Sequence, residues 1–96
     1  MKRLYVVVRS DLCPSQQAVQ SGHALAEFLL KRDTTWPNGT LIYLTVPDRE
    51  SMNLLCYRLS LRDVDFVTFR EPNINREITA IASLGTNSLF RKLPML

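Results

Sequence analysis

Four polar side chains near the start of the chain recur at helical spacing: Gln16, Gln20, His23 and Glu27. Steps of four, three and four residues place them in one narrow stripe along a helix. His23 is the only histidine, so any imidazole chemistry near neutral pH has to use it. Amide, imidazole and carboxylate groups on one helix face can together bind or orient a polar ligand.

The position of this stripe leaves two interpretations open. It borders an apolar arc of Val19, Ala26 and Leu30, which we expect to face a sheet. The stripe should then lie at the rim where the helix meets that sheet, and a rim side chain can be partly buried and still reach a ligand. The plainer alternative is a solvated amphipathic face in which packing alone fixes the histidine.

A second polar group lies between the last two predicted strands and consists of Arg70, Glu71, Asn73 and Arg76. Loops of this kind often carry function, although an ordinary polar turn explains the composition equally well. Arg70 and Arg76, together with Arg9 after the first strand, are candidate contacts to phosphate. A solvated surface is the alternative for these arginines too.

Other kinds of catalytic or binding site have weaker support. The serines lack a GxSxG elbow, and neither GxGxxG nor GxxxxGK[ST] is present. Cys13 at a helix N-terminus has a route to a lowered pKa, but without a base beside it we interpret Cys13 and Cys56 as structural thiols. One histidine and two cysteines without CxxC spacing form no metal-ligand pattern, so we predict neither a metal nor a cofactor.

Alternating segments of the chain supply the elements that would position these groups. The predicted strands are residues 4–8, 41–46, 64–69 and 78–84, and residues 71–76 are predicted as a loop. One helix runs from Pro14 to about Arg32, and a second begins at a cap, Asp48, with an apolar stripe that ends at Leu59. The order β-α-β-α-β-β predicts an α/β fold, a small four-stranded sheet with helices packed on its faces.

Length and charge set the class of protein. A chain of 96 residues with 46% hydrophobic content predicts a single domain over residues 1–96. Twelve Lys and Arg against nine Asp and Glu give a net charge of +3, which permits a phosphate-bearing partner without requiring one. The early apolar run is too short for a signal peptide or a membrane span, so we expect a cytoplasmic protein with no membrane partner.

Apolar side chains outside the predicted core indicate a homodimer. Ala24 and Phe28 lie away from the apolar arc of the first helix, and the tail at residues 86–96 is unusually apolar. We expect this tail to dock either on the chain's own core or on a partner subunit.

Four short strings occur in order between about Leu4 and Gly85: YVVVRSDL, AVQSGHA, LTVPD and ITAIASLG. Together they resemble the type-2 peptidyl-tRNA hydrolases. The residues that match the family's motifs are Arg9, Asp11, Leu12, Ala18, Gln20, His23, Ala24, Val46, Pro47, Asp48 and Thr79. The resemblance implies a mixed sheet of four strands, a homodimer, and metal-independent cleavage of the ester that joins a peptide to the 3′ ribose of tRNA.

The same resemblance assigns the site residues. Gln20, His23 and Thr79 match the family's functional positions, whereas Gln16 stands where the family carries the lysine credited with catalysis. The family's acidic residue and its R-T-Q segment, which follow the third strand, have no full counterpart here. Glu71 is the candidate to take the place of the acidic residue.

The leading hypothesis is therefore hydrolysis of a peptidyl-tRNA, or of a tRNA bearing an N-blocked amino acid, in translation. Glu71 or His23 would act as the base or orient the water, and Gln16, Gln20 and Thr79 would hydrogen-bond the carbonyl or the ribose. The alternative is a catalytically impaired binding module of the same fold that recognises tRNA or a protein, because a glutamine cannot supply the lysine's charge. A purely structural homodimer is a third hypothesis that explains the stripe poorly.

Overall fold

The computed structural model describes residues 3–32, 36–85 and 88–96. Its elements follow the predicted order, with a short third helix added in the tail: β1 (Arg3–Arg9), α1 (Pro14–Lys31), β2 (Thr40–Val46), α2 (Arg49–Leu61), β3 (Val67–Glu71), a 3-10 turn (Pro72–Ile74), β4 (Glu77–Gly85) and α3 (Ser88–Arg91). None of the described helices combines the length and the apolar character that a membrane-spanning helix needs.

The four strands form one mixed sheet in the order β2-β1-β4-β3. β1 and β2 are parallel, and β4 runs antiparallel to both β1 and β3. The predicted α/β class with a small mixed sheet is therefore confirmed. Because of these directions, the ends of β1, β2 and β3 and the start of β4 meet at a single edge of the sheet, which we call the carboxyl edge. Both long helices begin at this edge, so it gathers helix N-termini and strand ends.

One face of the sheet is covered by α1, but not by the side of α1 that the apolar arc predicted. Val19 is 49% exposed and Leu30 is 83% exposed. The buried residues of α1 are instead Gln20, Ser21, Ala24 and Phe28. This side can be buried because its polar groups have partners and Ala24 is small, so counting apolar side chains selected the wrong face of the helix.

The corrected orientation of α1 also changes the basis of the predicted homodimer. Ala24 and Phe28 pack into the core between α1 and the sheet, so they are not available to a second subunit. The large apolar side chains that α1 exposes are Val19, Leu29 and Leu30. A homodimer stays a prediction, and neither Ala24 nor Phe28 supports it.

The opposite face of the sheet is covered by α2 and by the tail. Met52, Leu55 and Leu59 form the buried stripe of α2 as predicted, and the Asp48 carboxylate caps the helix by accepting a hydrogen bond from the Ser51 N–H at 2.8 Å. In the tail, Phe90 is buried and its ring stacks on Tyr5 with centroids 4.6 Å apart. Of the two surfaces expected for the tail, the chain's own core is the one that Phe90 contacts, while residues 86 and 87 lie outside the described residues.

The third strand is shifted relative to its prediction at residues 64–69. Residues 62–64 close the C-terminus of α2 instead, since the Val64 N–H donates to the Leu59 carbonyl and Asp63 adopts a left-handed conformation. The strand therefore begins at Val67 and reaches Glu71. This shift moves Glu71 out of the predicted loop and makes it the last strand residue at the carboxyl edge.

We predict that Phe90→Ala will lower the free energy of unfolding by about 3–5 kcal/mol, because it removes a buried aromatic side chain from the core. Met95→Ala, which truncates a side chain in the same tail that is 76% exposed, should change it by less than about 0.5 kcal/mol. Urea unfolding followed by circular dichroism measures both variants. Equal effects from the two substitutions would contradict docking of the tail through Phe90.

Candidate functional site

Four of the predicted site residues meet at the carboxyl edge, between α1 and the strands β3 and β4. The Gln20 amide nitrogen donates to Glu71 Oε2 at 2.7 Å and to Gln16 Oε1 at 3.1 Å. The Thr79 hydroxyl donates to Gln20 Oε1 at 2.7 Å. We call these residues, Gln16, Gln20, Glu71 and Thr79, the edge cluster.

A bulge in β4 brings Thr79 into this cluster. Phe69 of β3 pairs with Ala80, but the next residue, Arg70, pairs with Ile78, so β4 carries one extra residue at this step. Ala80 packs in the core under α1. Strict alternation would turn Thr79 to the other side of the sheet, whereas the bulge lets the threonine share the α1 side with its neighbour.

Gln20 is the centre of the edge cluster and is only 1% exposed. Its two amide hydrogens and its carbonyl oxygen all have partners, and the reversed amide would set its oxygen against the Glu71 carboxylate. Thr79 is fully buried as well. Gln20 and Thr79 therefore position Glu71 and have no free group for a ligand.

Glu71 is half-buried and ends β3 with its carboxylate held from two directions. Oε2 accepts from Gln20, and Oε1 accepts from the backbone N–H of Asn73 at 3.1 Å. The hydrogen bond from Gln20, followed by the one from Asn73, lowers the pKa of Glu71 below its usual value, and the nearby His23 contributes in the same direction. Glu71 is thus a charged, oriented acceptor at neutral pH.

His23 lies beside this cluster but is exposed. Its ring lies flat on Phe69, with centroids 4.4 Å apart and an angle of 7° between the planes. Phe69 also packs against the core under α1, and the stacking with His23 makes it part of the site. Glu27, the last member of the predicted stripe, is not part of the edge cluster and forms an ion pair with Lys31 at 2.7 Å.

The three candidate phosphate contacts are divided by the fold. Arg9 is buried and binds Asp11 through two nitrogens and Glu77 at 2.7 Å, and these hydrogen bonds raise the pKa of Arg9. An enclosed guanidinium with two carboxylate partners has no face for a phosphate, so the prediction for Arg9 is not supported, and its role is to tie the loop after β1 to the start of β4.

Arg70 and Arg76 are exposed and remain available to a ligand. Arg70 donates to the backbone carbonyl of Arg76 at 3.2 Å, which holds the Arg70 side chain against the backbone at Arg76. Together with the four residues Glu27, Lys31, Thr68 and Phe69, they line an open cavity of about 280 Å³ at the outer side of β3.

Metal-ligating and thiol side chains are the other groups that could give this protein a chemical function. No group of three or more His, Cys, Asp or Glu side chains among residues 3–32, 36–85 and 88–96 is arranged to hold a metal ion. Both cysteines are free, and burial raises the pKa of the Cys56 thiol to about 11. Cys13 is exposed, and its pKa is lowered mainly by the Ser15 hydroxyl and then by the backbone N–H of Gln16.

Comparison with known proteins bears on the fold alone. No family model matches the chain, and no curated protein matches it. A solved structure from Agrobacterium tumefaciens, described as a protein of unknown function, superposes with a TM-score of 0.77 over 99% of this chain and 97% of the other. The two sequences are 11% identical, so the similarity establishes a shared architecture and assigns no activity.

We predict that Thr79→Val will destabilise the protein by about 1–3 kcal/mol, because it leaves the buried Gln20 oxygen without a donor. Thr79→Ser retains the hydroxyl and should cost less, about 1 kcal/mol, for the lost methyl group. Denaturant unfolding measures the difference. Equal losses for the two variants would mean that packing of the methyl group, and not the hydrogen bond, is what Thr79 supplies.

Proposed function

We propose that this protein hydrolyses the ester between a peptide, or an N-blocked amino acid, and the 3′ ribose of tRNA. The observation that carries the proposal is the Glu71 carboxylate, which is charged, oriented by the buried Gln20 and Thr79, and placed beside an open cavity lined by cations. A carboxylate of this kind can orient a water molecule for attack on an ester carbonyl. The resemblance to the type-2 peptidyl-tRNA hydrolases supports the same substrate class.

In the proposed reaction, water held by Glu71 attacks the ester carbonyl carbon and transfers a proton to the carboxylate. The bond from the carbonyl carbon to the ribose oxygen then breaks, and the proton passes to that oxygen. Glu71 returns to its starting state, so the balance requires water alone as co-reactant. The low pKa that keeps Glu71 charged also makes it a weak base, so we expect slow turnover.

Gln16 is positioned to help as the reaction proceeds. Its side-chain oxygen accepts from Gln20, which leaves its exposed amide hydrogens to donate to the developing oxyanion. Its place in the first turns of α1 adds the positive potential of the helix N-terminus. Glutamine is neutral, however, so this stabilisation is weaker than a lysine would give at the same position.

A binding module is the second candidate, and the neutral Gln16 is the observation that favours it. Such a module would retain the fold and the cationic cavity and bind tRNA without cleaving it. Both candidates place the protein in the cytoplasm, where charged tRNA is found, and both are compatible with a homodimer. The two are separated by assaying product release and tRNA binding on the same preparation.

We predict that Glu71→Gln will slow cleavage of peptidyl-tRNA by about 100-fold or more, because the amide cannot take the proton from water. The exposed Glu50 on α2 supplies a matched control, and Glu50→Gln should leave the rate unchanged. Since the pKa of Glu71 lies below its ordinary value of 4.5, the wild-type rate should hold as the pH falls from neutrality and drop only below that value. Wild-type protein that binds tRNA but releases no peptide would instead establish the binding module.

We also predict that Gln16→Lys will speed cleavage in a single-turnover assay, because a cation at this position stabilises the developing negative charge. The helix N-terminus opposes a positive charge, so stability should fall by up to about 1 kcal/mol. Thermal melting measured in parallel separates the two effects. A stable Gln16→Lys protein with no faster cleavage would contradict the hypothesis that the missing lysine is all that limits the reaction.

A further inference from the structure

The cavity beside the edge cluster has the composition of a nucleotide site. β3 is an edge strand of the sheet, and the cavity lies where this strand meets the C-terminal half of α1. Its lining includes the cations Lys31, Arg70 and Arg76 against a single carboxylate, Glu27. Its volume of about 280 Å³ is on the scale of one small ligand and not of a folded macromolecular surface. We call this cavity the β3 groove.

Neither arginine of the β3 groove forms an ion pair in the part of the chain that the structure describes, although both also line a neighbouring cavity with Glu50 and Glu77. Glu27 is engaged by Lys31, and Arg70 donates to the Arg76 carbonyl instead of to a carboxylate. Asn75 and Arg76 also hold left-handed backbone conformations, with φ of 50° and 58°. Asparagine adopts this conformation readily, whereas for an arginine it carries a cost. The connection from β3 to β4 is strained where it carries Arg76.

An aromatic pair flanks the same groove. Phe69 is in the groove lining and also carries the His23 ring on its face. Because His23 is exposed, the face of the imidazole that points away from Phe69 is open to solvent. Among the described residues no hydrogen bond holds either ring nitrogen, so stacking alone orients this ring. A catalytic imidazole is usually oriented by a hydrogen-bonding group, whereas a stacking platform needs only a fixed, flat surface.

We infer that the β3 groove binds the single-stranded 3′-terminal nucleotide of an RNA, with its base stacked on His23 and its phosphate on Arg70 and Arg76. Flat aromatic faces beside cations are how proteins hold unpaired bases together with their phosphates. This inference rests on the proposed function for the choice of RNA. It gives His23 the role of a binding residue, and it places the terminal ribose next to Glu71.

The test uses a short, single-stranded RNA that ends in CCA, carries a fluorophore at its 5′ end and bears no acyl group. Fluorescence anisotropy should detect binding that weakens with salt. His23→Ala should weaken binding by about fivefold to 150-fold, the range for loss of one stacked base. His23→Phe keeps a flat ring without the imidazole nitrogens and should bind within about threefold of the wild type.

Two further variants locate the phosphate. Arg76→Gln should weaken binding and reduce its dependence on salt concentration. The exposed Lys92, which lies in the tail on the other face of the sheet, supplies a control of equal charge, and Lys92→Gln should leave the affinity unchanged. Equal losses from the two substitutions would overturn the assignment of the groove and indicate general charge attraction.

Three other results would also overturn the inference. The first is that His23→Phe binds as poorly as His23→Ala, which would assign His23 to hydrogen bonding. The second is that a blunt RNA duplex binds as tightly as the single strand, and the third is that adenosine monophosphate, which carries the same base and phosphate, does not compete even at high concentration. None of these measurements requires cleavage. The expected binding pattern in a protein that releases no peptide would uphold the nucleotide site and remove the hydrolase proposal.

Discussion

Burial of the Gln20 amide is the constraint on which the organisation of the carboxyl edge depends. A primary amide placed where almost no water reaches it has to be satisfied by the protein. Gln20 meets this requirement with three partners that come from α1, β3 and β4, and so it joins three elements at a single point. The same bonds fix the one carboxylate of the cluster, which means that the folding requirement and the chemistry of the site are met by one set of hydrogen bonds.

The start of β4 connects the two faces of the sheet. Glu77 binds the buried Arg9, and Thr79, two residues later, binds Gln20 on the α1 side. Ile78 packs on the α2 side of the sheet and Ala80 on the α1 side. The bulge between β3 and β4 allows this packing together with the hydrogen bonds of Glu77 and Thr79. A short strand segment thereby holds a buried ion pair and a polar cluster with little loss of core packing.

The charges around Glu71 suit the binding of an anionic ligand better than they suit rapid catalysis. The carboxylate is stabilised by hydrogen-bond donors, and its neighbour Gln16 is neutral. The unpaired cations lie farther out, at the β3 groove, where they suit phosphate better than a developing oxyanion. Under the proposed function, this arrangement separates the carboxylate that would act on the ester from the arginines that would hold the nucleic acid.

The amino-acid sequence by itself determined the elements and their order. Local apolar runs, the Asp48 cap and the first-turn Pro14 specify strands and helices through neighbouring residues, which is why those predictions agree with the structure. The sequence also singled out Gln20 by its helical spacing, Glu71 by its place in a polar segment and Thr79 by a resemblance, all without their geometry.

Tertiary structure alone decided which side of α1 faces the sheet, where Thr79 points and what Arg9 binds. The decisive pairs lie 51, 59 and 68 residues apart in the chain, for Gln20 with Glu71, Gln20 with Thr79 and Arg9 with Glu77. Helical periodicity counts apolar side chains and cannot register that a buried glutamine will find its partners on two distant strands. The bulge that turns Thr79 toward them is likewise a property of strand pairing, which no local segment encodes.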